Sequence, residues 1–167
     1  VIFTPDISFV INVVQNEFHK IKITLPTDYV MADNNYYEVE LSLQDIDAAN
    51  GKGAYKARVS WWGRTDGTLG SYGVCSKDAQ FDKDVRVCLD SNSQYCILVD
   101  GIFANNSNIA ITEVISWNKN ISNITDWLIG EYSDDTGFTS IYIPRVVRNI
   151  SREEAFALNA VVQTMPV

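Results

Sequence analysis

Apolar and polar residues alternate strictly along much of this chain. In residues 36–43, Tyr37, Val39, Leu41 and Leu43 alternate with Tyr36, Glu38, Glu40 and Ser42, which is the two-residue period of a strand with one buried and one wet face. Residues 18–25 repeat the pattern, with His19, Ile21, Ile23 and Leu25 set against Lys20, Lys22 and Thr24. Pro26 ends that run, because proline cannot donate to a ladder. In residues 54–62, Tyr55, Ala57, Val59 and Trp61 oppose Lys56, Arg58, Ser60 and Trp62. Adjacent tryptophans on a strand point to opposite faces, so parity sends Trp62 away from the core.

The remaining chain extends this grammar. Residues 85–99 read as a hairpin, with Val85, Val87 and Leu89 on one arm and Tyr95, Ile97 and Val99 on the other, joined by the turn-forming cluster Asp90, Ser91, Asn92, Ser93. Further strands are predicted over 8–14, over 109–117 with a change of face near Glu113 as a bulge would cause, over 127–132, and over 138–147, where Pro144 marks an edge or bulge. Turns fall at 45–53, 101–107 and 133–137, and residues 63–73, with four glycines, form an exposed irregular loop. Strands at such spacing predict an all-β fold, an antiparallel β-sandwich that is jelly-roll-like, ahead of a barrel. The carboxyl end differs. Ser151 and Glu154 make a capping box before Ala155, Phe156, Leu158 and Ala160, which favours a short C-terminal helix slightly over a strand. The division expected is a lead-in strand from a preceding stalk or domain over 1–16, the sandwich over 17–148 and an extension over 149–167.

Composition narrows the function classes. An apolar share of 46% with eight Tyr, seven Phe and four Trp supports a folded core, and no apolar run reaches the roughly 18 residues of a membrane-spanning helix. A formal charge of -8 repels phosphate backbones, so no nucleic-acid partner is expected, and a neutral glycan fits better than an anion. His19 is the sole histidine, which removes multi-histidine metal sites, and its apolar strand face predicts a hydrogen-bonded core or interface residue. Neither a metal nor a cofactor is expected. Cys75, Cys88 and Cys96 match no zinc spacing. Reduced and buried is the simplest reading of all three, although a three-residue hairpin loop would place Cys88 directly opposite Cys96 and a four-residue loop would offset them.

No catalytic arrangement stands out. Glu38 and Glu40 share a strand face, as a glycosidase carboxylate pair would, but acidic residues on a wet face are the ordinary expectation. Four glycosylation-type triplets, beginning at Asn105, Asn120, Asn123 and Asn149, are assigned no role. Aromatic and planar polar groups around the glycine-rich loop, Trp62, Arg64, Asp66 and Tyr72, combine the stacking faces and hydrogen-bonding groups that sugars require. Trp117 and Asn118 begin a second such loop, which Asp126 and Trp127 close. Against this, Trp61, Trp117 and Trp127 are each expected to fill the core or a subunit interface.

The ordered succession of Phe18 to Pro26 (FHKIKITLP), YYEVELSL, YKARVSWWG, VRVCLDSNSQYCILV, NIAITEV and TDWLIGEY resembles a C-terminal β-sandwich, receptor-binding module of bacteriophage tail fibres and tailspikes. The match covers about residues 17–132. The resemblance implies a homotrimeric virion component, assembled in the host cytoplasm, that recognises lipopolysaccharide, capsule or another bacterial surface glycan; with no catalytic arrangement and no membrane-spanning run in the residues, this stretch is expected to be neither an enzyme nor inserted in a membrane, whatever a longer parent chain carries. The alternative it implies is a purely structural, trimer-stabilising domain of a tailspike whose separate domain degrades polysaccharide.

Overall fold

A computed structural model describes residues 2–5, 7–29, 35–46, 54–64, 68–69, 73–117, 121, 125–148 and 157. Among the described residues the chain forms twelve strands: β1 (Ile2–Phe3), β2 (Ile7–Ile11), β3 (Glu17–Thr24), β4 (Tyr36–Asp45), β5 (Tyr55–Trp62), β6 (Val74–Lys77), β7 (Asp84–Leu89), β8 (Tyr95–Phe103), β9 (Ser107–Ser116), β10 (Leu128–Glu131), β11 (Ser140–Tyr142) and β12 (Arg145–Arg148). A seven-stranded sheet runs β1-β9-β4-β5-β6-β12, with β2 also pairing β9, and a five-stranded sheet runs β10-β3-β8-β7-β11. Among these pairings only β6 with β12 is parallel. The two sheets pack as an all-β sandwich, as the periodicity predicts. The capping box at Ser151 and Glu154 lies outside the described residues.

The inward faces supply the core. Ile21, Ile23, Val39, Leu41, Val59, Trp61, Val87, Ile97, Val99 and Ile111 are all essentially inaccessible to solvent and belong to one apolar cluster. β1 and β2 add residues 2–3 and 7–11 to the larger sheet.

The hairpin takes the three-residue loop. Leu89 pairs with Tyr95 and Asp90 N–H donates to Gln94 O at 3.0 Å. Ser93 N–H closes the turn on Asp90 O at 3.0 Å, and Asp90 Oδ1 accepts from the N–H groups of Asn92 and Gln94. Ser93 itself has φ of 58°, the left-handed residue that ends this type of loop. The bulge is also where the pattern places it, as the β4–β9 register shifts between Glu40 and Leu41, opposite Glu113 and Ile111.

Three details depart from the expected elements. Gly101 is part of β8 rather than a turn: a Cβ there would lie 2.7 Å from the Lys83 side chain, so this glycine permits close packing. The run over 138–147 is two strands, because the chain leaves the smaller sheet after Tyr142 and joins the larger one at Arg145. Residues 74–77 form β6, too short for periodicity to reveal.

Residues 132–139, between β10 and β11, cross the outer face of the smaller sheet. Tyr132 and Phe138 pack on Cys88, Cys96 and Leu98, making a second, smaller apolar cluster. Arg86 fastens this strap, donating to both Asp135 oxygens at 3.0 and 3.2 Å, to Tyr132 Oη at 2.8 Å and to Asp100 Oδ2 at 3.1 Å. Tyr132 in turn donates to Asp100 Oδ2 at 2.6 Å.

Candidate functional site

Pairing in the larger sheet brings together aromatics that are far apart in sequence. Tyr36 is the register partner of Trp62 across β4 and β5. On its other side Tyr37 pairs with Ser116, so Trp117 lies beside Tyr36, donating its N–H to Tyr36 O at 3.0 Å. The Tyr36 and Trp117 rings meet edge to face with centroids 6.4 Å apart. Trp62, Tyr36 and Trp117 thus form one row across three adjacent strands on the outer face. Neighbouring strands lie about 4.8 Å apart, so the row extends roughly 10 Å.

The row has a polar end and a polar flank. The Arg64 guanidinium stands 5.7 Å from the Trp62 ring centre, a cation–π arrangement. Its position is set by a narrow loop closure, with Gly63 bridging Leu69 and Arg64 N–H donating to Thr68 O at 2.9 Å. The next residues down the same face are Ser60, Glu38 and Ile115, followed by Arg58, Glu40 and Glu113. Arg58 reaches Glu113 at 2.8 Å, Glu40 at 2.9 Å and Glu38 at 3.6 Å.

Beneath the row, in the core, Tyr37 and Trp61 from the inner face of β4 and β5 meet Tyr95 of the smaller sheet and the loop residues Tyr29 and Trp127, in ring contacts with centroids 5.4 to 5.7 Å apart. These large, closely packed rings give the outer platform a stiff base.

The Glu38 and Glu40 pair takes a supporting role here. Desolvation pushes the Glu40 carboxyl upward, but the Thr112 hydrogen bond at 2.8 Å and the charges of Lys56 and Arg58 outweigh it and hold the group below its ordinary range.

Of the residues singled out in the sequence, Trp62, Arg64 and Trp117 come to this one face. Asp66, Tyr72 and Asn118 lie outside the described residues. Trp61 and Trp127 are buried, as expected. Trp117 is not in the core: it is 60% exposed. The bulge explains this, because Ile109 and Ile111 point inward, and the extra residue in β9 turns Glu113, Ile115 and Trp117 outward. Tyr36, the middle of the row, was missed as a site residue. Its parity with Glu38 and Glu40 already marked it as outward-facing, but only the strand order places it between two tryptophans.

His19 is half-buried and hydrogen-bonded, with Nδ1 2.8 Å from Glu131 Oε1 and Nε2 3.0 Å from Val14 O. Both partners are acceptors, so the imidazolium satisfies both and the neutral ring only one.

Fold and surface therefore define an all-β sandwich with an aromatic row on one outer face. No protein-family model matches the chain, and neither the curated proteins nor the solved structures contain a match.

Proposed function

We propose that this domain is a non-catalytic carbohydrate-recognition module of the kind carried at the ends of phage tail fibres and tailspikes, acting as a homotrimer on bacterial surface glycans. The observation that carries the recognition reading is the Trp62, Tyr36, Trp117 row. Its ring faces suit the C–H faces of sugars, while Arg64, Glu38 and Arg58 offer the adjacent donors and acceptors. The assignment to a fibre is supported by the ordered strand motifs in the sequence. Three copies on one fibre would raise a weak single-site affinity through effective concentration. The test is binding of the intact protein to host cells and to purified lipopolysaccharide and capsule, comparing wild type with Trp62→Ala and Trp117→Ala. Loss of binding with the oligomer intact is expected, and undiminished binding by both variants would remove this face from the reading.

A second reading, a structural domain that holds the trimer together, is favoured by the apolar residues at one end of the smaller sheet. Phe18 and Ile102 are register partners and are 57% and 58% exposed, and Ile143, which shares a groove with Phe18, is 71% exposed. Such a patch suits burial against further copies of the chain. Solution mass distinguishes the readings when combined with the variants above: a trimer whose host binding survives both tryptophan changes would favour the structural role.

A further inference from the structure

We propose that Cys88 and Cys96 form an oxidisable dithiol, a modification site closed to a cross-strand disulfide by exchange with a small-molecule disulfide and gated by the 132–139 strap. The two residues are direct register partners on β7 and β8 and project to the same outer face, where both thiols are free. Asp90 donates to Gln94 two residues further along, which makes Cys88 and Cys96 a hydrogen-bonded pair in the alternating ladder. Such pairs have Cα atoms about 5.5 Å apart, inside the roughly 4.4–6.8 Å range that a disulfide spans. Closure therefore needs side-chain rotation and no strand movement.

The surroundings assign different parts to the two sulfurs. Thr24 Oγ1 lies 3.7 Å from Cys96 Sγ and can donate to a thiolate there. Hydrogen bonding with Cys88 lowers the Cys96 thiol below its ordinary range despite burial, and Thr24 adds to this, whereas Cys88 is raised. The Thr24 hydroxyl, placed to donate to a thiolate on Cys96, makes Cys96 the attacking sulfur. It attacks one sulfur of the external disulfide, forming a mixed disulfide and releasing one thiolate. Cys88, losing its proton, attacks the Cys96 sulfur and expels the second thiolate. Two electrons pass from the protein dithiol to the external disulfide, and the two protons end on the released thiols.

Access is controlled by Phe138 and Tyr132, whose rings cover both cysteines and also line an open surface groove with Lys22 and Gly137. A reagent in that groove reaches the sulfurs once the strap lifts. Cys75 provides an internal control. It is buried in the larger sheet, on the core side, and burial pushes its thiol up to about 11.

The test incubates the folded, reduced full chain with excess oxidised glutathione, then alkylates free thiols and maps the peptides. The expected result is a mass loss of two hydrogens per chain, a Cys88–Cys96 link, alkylated Cys75, and full reversal by dithiothreitol. Phe138→Ala, or the milder Phe138→Leu, is expected to speed closure about tenfold by easing local opening. Three alkylatable thiols after prolonged incubation would overturn the proposal, as would a glutathione adduct that never closes or a link through Cys75. Unchanged rates in both Phe138 variants would overturn the gating. The wild-type measurement stands whether or not either variant folds.

Discussion

The outer faces of the two sheets begin from the same alternating pattern and end in different environments. On the larger sheet, the outward positions of β4, β5 and β9 other than the buried Ser60 reach solvent at least in part, and they carry the Trp62, Tyr36 and Trp117 row beside the Arg58 ion-pair cluster. On the smaller sheet, the strap covers the equivalent positions, so Cys88, Cys96 and Leu98 become a second apolar cluster and Asp100 is buried beside Arg86. Polarity along a strand thus states which residues share a face. It does not state whether that face meets water, a ligand or another segment of the chain.

The largest expected effect tests the covered face. Arg86→Ala leaves the Asp100 carboxylate buried without its cation and releases Asp135 from the sheet, and should cost about 3 kcal/mol of folding stability in urea titrations. A loss no larger than about 0.5 kcal/mol, typical of exposed sites, would show the strap to be energetically idle.

On the open face, Trp117→Ala should leave folding stability within about 0.5 kcal/mol. Glycan affinity should fall at least about tenfold, near 1.4 kcal/mol. A variant that loses both stability and binding together would make Trp117 a structural residue and weaken the contrast between the faces.

The edge of the smaller sheet gives a pH-dependent prediction of about 1 kcal/mol, the usual worth of one hydrogen bond. His19 titrates above its ordinary 6.5, first because it donates to the Val14 carbonyl, with desolvation opposing and Glu131 and Glu17 adding to the rise. A raised folded-state value means that the contribution is complete below about pH 6.5 and is lost as pH rises through the raised value. Thermal midpoints should therefore decline across that interval in the wild type and change less in His19→Gln; parallel curves would refute the linkage.

The smallest effect belongs to the hairpin. Ser93 holds φ of 58°, a conformation costing an L-residue about 1–2 kcal/mol, part of which glycine returns as backbone entropy. Ser93→Gly should stabilise the protein by about 0.5 kcal/mol, and a destabilised variant would mean that the serine side chain supports the loop.

Local chemistry in the sequence was enough to specify most strands and their inward faces, because a period of two is set by backbone geometry alone. Trp61 inward with Trp62 outward, the break at Pro26 and the bulge near Glu113 all follow from residues close in the chain. Tertiary structure decided what depends on strand order. Tyr36 became the centre of an aromatic row because β4 lies between β5 and β9, and the bulge carried Trp117 out to join it. It also decided that residues 132–139 fold across the smaller sheet, turning positions with wet-face parity into a buried polar and thiol cluster. Such pairings join residues tens of positions apart, and no local propensity encodes which strands become neighbours.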